Sequence, residues 1–272
     1  MGGAAPVTFT CDVEDHRPGP DAELRFPRVT RQISAWLVER GWRGTFFVVG
    51  EEAERHPELV RELSEAGHEV GLHGWRHVPL GELGRDAVAA DARRGRELLE
   101  QIVGTPVTGF RAPQFSLTRD TPWAHEVLAD AGFVYSSSVL PNASPLFGYP
   151  GAPRRPFRWP SGLVELPAPV IGWRDTRVPV GGLYLRVLPI ALTRRLLAGD
   201  GVGPVPWLYF HPYDFDPGER FHVIHDANPL ASPLQWLNRG KARSRVEAVL
   251  GTHPGPPLGE RLGQLDDLPA FG

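Results

Sequence analysis

Along the first half of the chain, short apolar runs with the two-residue period of a strand alternate with segments of helical period. "VTFTCDV" (7–13) reads as a buried strand, and Val29, Ile33, Trp36 and Leu37 then recur at helical spacing up to a stop near Gly41. "TFFVVG" (45–50) is a second strand. "HPELVRELSEAG" (56–67) is a helix, with Pro57 in its first turn and Gly67 at its end. The alternation continues with "EVGLHG" (69–74), a long helix over 85–104, "VTGFRAP" (107–113), a helix over 121–132 and "FVYSSSV" (133–139). Strands joined through helices predict a parallel sheet with right-handed crossovers. Residues 140–183 are rich in Pro and Gly and hold strand-like pieces such as "GLVELPA" (162–168). A helix over 189–199, a strand over 205–212 and an amphipathic helix over 233–250 follow. Roughly seven strand–helix repeats in one α/β chain suggest a barrel, closed or incomplete, more than an open sheet. No low-complexity stretch or linker divides the sequence, so 1–272 reads as one domain, with a loosely attached tail from about 251.

A chain of 272 residues, 41% hydrophobic, can bury the core that such a domain requires. The formal net charge of −3 gives no electrostatic footprint for nucleic acid. No run approaches the roughly 20 apolar residues that span a bilayer, so stable membrane insertion is not expected. The single cysteine, Cys11, permits no internal disulfide and fits a reducing compartment. The N-terminus lacks a basic stretch followed by an apolar run, and Pro6 stands where a myristoylation motif wants Ser or Thr. A cytoplasmic location is the expectation; the oligomeric state is left open.

In parallel α/β folds, ligands gather at the carboxyl ends of the strands. The first strand ends in Asp12-Val13-Glu14-Asp15 and the third in His73, with His77 four residues on. The fourth ends in Arg111, and the late strand "WLYFHPYD" in His211. One carboxylate with two neutral imidazoles forms a set that holds a divalent metal and leaves positions open for water and substrate. Alternation along a strand puts residues 12 and 14 on one face, which favours Glu14 as the carboxylate. Asp15 takes its place if the strand has already broken into a turn.

These residues resemble the polysaccharide deacetylases of carbohydrate esterase family 4. The resemblance runs from about residue 7 to 250, through "TFTCDVED", "GTFFVVGEEAERHPELVRELSEAGHEVGLHGWRH", "GFRAPQFS", "GFVYSSSVLP", "ELP", "VGGLYLRVLP" and "YFHPYDFD" in order. The "DVED", "GGLYLRVLP" and "FHPYD" pieces look most like the branch found in bacterial exopolysaccharide gene clusters. The resemblance implies a distorted, incomplete (β/α)7-type barrel. It implies one divalent ion, zinc first and Co, Ni, Mn or Fe otherwise, on His73, His77 and either Glu14 or Asp15. It makes Asp12 the general base, Arg111 the residue that orients that base, and His211 the general acid. The backbone N–H of Gln114 or Phe115 is a candidate oxyanion donor. Phe115, Trp123, Trp159 and Trp207 are candidates for the groove wall as well as for the core, and "VPVGGLYLRVLP" for one side of the cleft. Asp214, Asp216, His222 and His225 read as loop residues. One departure stands out: Ser136 occupies the place of the acid in the branch's Tyr-Asp-Ser-Ser pattern, which removes a charge expected to tune His211 or to contact substrate.

The function implied is hydrolysis of an N-acetyl group from an amino sugar or glycoside. A metal-dependent hydrolase of a non-sugar or cyclic amide is the alternative, and a non-catalytic carbohydrate-binding protein on the same scaffold a further one. The joint presence of Asp12, His73, His77, Arg111 and His211 argues against the last.

Overall fold

The computed structural model describes residues 5–143, 147–172, 178–199, 202–223 and 232–272. Its strands are β1 (Thr8–Val13), β2 (Gly44–Val48), β3 (Glu69–Leu72), β4 (Gly109–Phe110), β5 (Tyr135–Ser136), β6 (Phe157–Arg158), β7 (Val164–Glu165), β8 (Val170–Ile171), β9 (Val178–Pro179) and β10 (Trp207–Phe210). Eight of them form one sheet in the order β10-β1-β2-β3-β4-β5-β7-β6. Every pairing in it is parallel except that of β6 with β7. Seven strands thus run in one direction, as a (β/α)7 barrel requires. The circle is incomplete, because β7 is flanked by β6 rather than by β10. The helices are α1 (Phe26–Val38), α2 (Gly50–Arg55), α3 (Pro57–Glu65), α4 (Leu80–Leu83), α5 (Arg85–Val103), α6 (Ala124–Asp130), α7 (Gly182–Val187), α8 (Ile190–Leu197), α9 (Ser232–Trp236) and α10 (Ala242–Leu250).

Side-chain alternation sorts the residues of each strand between two layers. On β1, Phe9, Cys11 and Val13 join Ile33, Trp36 and Leu37 of α1 in the core between sheet and helices. Thr8, Thr10 and Asp12 point the other way, into the barrel. On β2, Phe46 and Val48 face the helices, while Phe47 joins Tyr135, Val164, Trp207 and Leu258 in a second, interior core. Burying each such side chain is worth roughly 1.5–3 kcal/mol. Gly95 lets α5 lie close on the sheet, since a Cβ there would meet Leu72 Cδ1 at 2.6 Å.

Three of the strands expected from sequence pair over only two residues each. Side chains take over where the ladder stops. Arg111 holds the carbonyl of Ser137, and the Glu165 carboxylate accepts the N–H groups of Ser138 and Val139. The helix expected over 233–250 is broken into α9, a 3₁₀ turn (Arg239–Lys241) and α10. Arg186 donates to the carbonyls of Gln235 and Leu237, and Asn238 adopts φ +58° with its side chain on the Arg186 carbonyl. Those carbonyls are thereby drawn out of the helical pattern.

The tail is not loosely attached. Leu258 is fully buried beneath the barrel, and its N–H donates to Thr45 Oγ1 at 2.9 Å. Arg261 reaches Thr8 and the carbonyls of Pro6 and Pro204, and Phe271 packs on Phe157 and Trp159. The incomplete barrel leaves an apolar floor that this segment covers.

Candidate metal centre and active site

Strand geometry delivers the first carboxylates. Asp12 is the last inward residue of β1, and Glu14 follows two positions on, with the same facing. Asp12 is 2% exposed. Its Oδ1 accepts from Arg111 Nη1 at 2.6 Å. Arg111 itself is fully buried at the end of β4, between the rings of Phe47 (4.1 Å) and Trp207 (4.3 Å). It also donates to Thr10 Oγ1 at 2.8 Å, to the Ser137 carbonyl at 3.2 Å and to Ser137 Oγ at 3.0 Å. Every edge of the guanidinium is held, so the carboxylate it grips is held too.

His73 is the first residue past β3. Its Nδ1–H donates to the Arg111 carbonyl at 2.9 Å, which turns the Nε2 lone pair toward the carboxylates. Nε2 lies 4.0 Å from Asp12 Oδ2 and 4.0 Å from Glu14 Oε2. Burial pushes the His73 pKa down to about 4, so its imidazole is neutral, as a ligand must be. His77 returns on a turn rather than a helix. Gly74 (φ +70°) and His77 (φ +54°) are both left-handed. The buried Trp75 anchors the turn on α2, with the Gly50 and Glu51 N–H groups bonded to the Gly74 and Trp75 carbonyls. His77 Nε2 then sits directly against Glu14 Oε2. Burial disfavours charge on both groups. Even so, the attraction between them raises the His77 pKa, and His77, His211 and His73 hold the Glu14 carboxyl well below its usual range.

His211 begins the turn after β10. Its Nε2 faces Glu14 Oε1 at 3.6 Å, and its Nδ1 faces Asp214 Oδ2 at 3.4 Å. Asp214 also accepts the His211 backbone N–H at 2.9 Å and forms a wholly buried ion pair with Arg186 at 2.8 Å. Burial works against a charged His211, but Asp214 and Glu14 push its pKa up to about 9. Burial likewise opposes the Asp214 charge, yet His211 and Arg186 hold its pKa below the ordinary value. Tyr213 stacks on His211 (4.7 Å, 9°) and on its other neighbour His16 (4.4 Å, 22°). Beside Glu14 a cleft of about 310 Å³ opens to solvent, lined in part by His16, Arg17, Arg25, Tyr213 and Asp216.

Several expected residues lie elsewhere. Asp15 is paired with Arg17 at 2.6 Å, outside the cluster. Ser136 is fully buried, with Oγ on Ser138 Oγ at 2.7 Å, and belongs to the shell around Glu165 rather than to His211. Trp159 is core, stacked on His125 and packed on Phe157, with Nε1 directed at Glu165. Trp207 is interior core beneath Arg111. Gln114 is exposed and Phe115 half-buried at the rim. The Phe115 N–H is engaged by the Ala112 carbonyl at 3.1 Å and cannot serve as an oxyanion donor. Asp214 and Arg186, by contrast, belong to the site. The His-Pro-Tyr-Asp spacing was the available signal: a proline-led turn brings residue i+3 back onto residue i. His222 lies outside the cluster, and His225 outside the described residues.

Among the described residues, Glu14, His73 and His77 form a group fit for a metal ion, each offering a ligand atom within 4.8 Å of the others. Ligand atoms around tetrahedral zinc stand roughly 3–3.5 Å apart. Glu14 Oε2 is buried without a well-formed hydrogen bond and meets the imidazole nitrogens of His77 and His73 instead. A buried carboxylate oxygen without a donor is costly unless a cation satisfies it. The donor set and the orphaned oxygen together fit a divalent ion.

Residues 7–136 match the polysaccharide deacetylase family. The match covers just under half of the chain. Residues 137–254 match a domain of unknown function, DUF3473. Asp12, Glu14, His73, His77 and Arg111 therefore lie in the stretch that matches the first family model, and Arg186, His211 and Asp214 in the stretch that matches the second. Arg111, bonded to Ser137, links the two at their boundary. A peptidoglycan-N-acetylglucosamine deacetylase of Bacillus cereus is 29% identical over 123 residues, covering 45% of this chain and 41% of that protein. The chain thus spans less than half the length of this curated relative. A solved Mycobacterium smegmatis protein, provisionally assigned as a polysaccharide deacetylase, is 23% identical with a TM-score of 0.62. That match covers 100% of this chain and 95% of that one, and it shares the fold. The fold also occurs in a carbohydrate esterase family 4 pseudoenzyme of Bacillus anthracis, at 12% identity and a TM-score of 0.53 over 99% of this chain and 70% of that one.

Proposed function

We propose that the chain is a metal-dependent hydrolase that removes an N-acetyl group from an amino sugar or glycoside. The observation that carries the reading is the convergence of Glu14, His73 and His77 on one point, with Asp12 and His211 both facing it. Glu14, His73 and His77 would hold the ion, with zinc the first candidate. A bound divalent ion supplies Lewis-acid polarisation of the amide carbonyl and lowers the pKa of water toward about 7. Asp12 Oδ1 is fixed by Arg111, which leaves Oδ2, on the cluster side, to accept the proton of the attacking water. His211 carries a proton on Nε2 toward the same point and delivers it to the leaving nitrogen, while Asp214 and Arg186 fix its ring. The intact set of base, ligands and acid favours catalysis over a binding-only role. The Asp-Val-Glu-Asp and Phe-His-Pro-Tyr-Asp pieces, and the continuous second half that supplies the acid, support the exopolysaccharide-cluster branch.

The test is acetate release from a panel of N-acetylated mono- and oligosaccharides by protein stripped with chelator and reloaded with zinc, cobalt or manganese. Release that requires metal and is lost in Asp12→Asn supports the reading. Metal-independent release, or hydrolysis confined to non-sugar amides, contradicts it.

A further inference from the structure

The "ELP" piece of the sequence (165–167) has no part in the mechanism above, yet it buries a carboxylate, which is costly without partners. Val164 and Leu166 join the interior core of the barrel, so Glu165 between them faces the opposite layer, beside Trp159. Glu165 is fully buried and does not line the cleft beside Glu14. Its Oε1 accepts the N–H groups of Ser138 at 2.7 Å and Val139 at 2.9 Å, and Trp159 Nε1 donates to Oε2 at 3.4 Å. Burial raises its pKa above the ordinary carboxylate value, against the pull of those donors, and its described partners include no cation.

What this carboxylate holds is the segment on which Arg111 leans. Pairing of β5 ends at Ser136, so the buried N–H groups of Ser138 and Val139 have left the ladder. One oxygen of Glu165 takes both, which fixes the backbone from 137 to 139. Ser137 then offers two acceptors to Arg111, its carbonyl to Nε at 3.2 Å and its Oγ to Nη2 at 3.0 Å. Ser138 Oγ accepts the N–H of Ala112, the residue after Arg111, at 2.8 Å. On the far side of the guanidinium, Nη1 holds Thr10 Oγ1 at 2.8 Å and Asp12 Oδ1 at 2.6 Å. A guanidinium is planar and rigid, so a shift of Ser137 at one edge turns the other edge against Asp12.

We infer that Glu165 is a positioning residue for the base: from outside the cleft, and through Ser137 and Arg111, it sets where the Asp12 carboxylate stands. The inference rests on the reading of Asp12 as the base. Its consequence is a defect in turnover without a defect in substrate affinity when Glu165 is changed, because no group that lines the cleft is altered.

The experiment compares wild type, E165Q, R111K and the double variant in kcat and KM for acetate release. It also follows the Arg111 Nε–H by nitrogen-15 NMR, with the signal assigned by its absence in R111K. Glutamine keeps the shape and one acceptor oxygen but loses the charge that strengthens both N–H bonds. E165Q should lower kcat roughly tenfold with KM within about twofold, since small displacements of a catalytic group cost on that order. In the R111K background, where lysine cannot span Thr10 and Ser137 together, the same change should cost less than about twofold more. Ser137→Ala, which removes only the Oγ acceptor, tests the same link from the other side and should show the same split between kcat and KM. In the resting protein, E165Q should speed solvent exchange of the Arg111 Nε–H and the Ala112 amide, while the amides of β1 and β2 exchange as in wild type. That readout needs neither substrate nor metal. If wild type hydrolyses no N-acetylated sugar, the proposed function fails and the exchange measurement alone decides this inference. A raised KM at constant kcat, full additivity with R111K, or an Arg111 Nε–H protected as in wild type overturns it. So does exchange that quickens throughout the sheet, which marks plain destabilisation.

Discussion

Arg111→Met is the most informative single change in the barrel. The substitution keeps bulk between the rings of Phe47 and Trp207, and it removes four hydrogen bonds of 2.6–3.2 Å to Asp12, Thr10 and both Ser137 groups. It also leaves the 2% exposed Asp12 carboxylate without its cation. Breaking a buried ion pair from one side costs about 3–5 kcal/mol. For a chain of this size that is a drop in melting temperature on the order of 10 °C. Arg111→Lys separates charge from geometry. The ammonium preserves attraction for Asp12 but cannot span Thr10 and Ser137 together, so roughly half of the loss should return. Neither variant should lose metal. His73 is oriented by the backbone carbonyl of residue 111, which both substitutions retain. Urea unfolding, melting temperature and metal content measured together decide the matter. An Arg111→Met protein that melts within about 2 °C of wild type would show that Asp12 does not depend on the buried pair. Loss of metal in Arg111→Lys would place the side chain, and not the carbonyl, behind His73.

Chelated Asp214→Asn should show a lowered His211 titration. The wild-type pKa near 9 lies above the ordinary 6.5, so this group's stabilisation is full below pH 6.5 and is lost as pH rises through about 9. NMR of the histidines reads the shift, and an unchanged pKa would detach Asp214 from the acid. Ser136→Asp should destabilise by several kcal/mol, because it buries a second carboxylate within the Glu165 shell, and should leave the alkaline limb of the rate profile in place. A moved limb in a folded variant would contradict that placement. Leu258→Ala should cost about 2–5 kcal/mol in urea unfolding, as for any large core residue. A negligible loss would mean that the tail does not close the barrel floor.

The parallel barrel was legible in the sequence because the β-to-α changes of period over residues 7–132 survive folding, and the inward run Thr8, Thr10, Asp12, Glu14 follows from alternation alone. Spacing also marked His73, His77 and His211. What the sequence could not show lies in contacts between distant segments. Asp214 reads as a loop residue until a proline-led turn folds it under His211, and Arg186, from a different helix, then fixes it in place. Ser136 invited comparison with His211 by position, but Glu165 from β7 draws it the other way. The tail gives little internal pattern, since its apolar residues answer to the floor of the barrel rather than to each other. The amphipathic stretch over 233–250 is locally helical, and it breaks because Arg186 takes two of its carbonyls.

The ligand set is decided by metal stoichiometry across four proteins: wild type, Glu14→Gln, Asp15→Asn and Asp12→Asn, each loaded with zinc, desalted and analysed for bound metal. Close to one ion per chain is expected in wild type, Asp15→Asn and Asp12→Asn, and little in Glu14→Gln. Retention by Glu14→Gln together with loss in Asp12→Asn or Asp15→Asn would contradict it, and would move the metal away from the point on which Glu14, His73 and His77 converge.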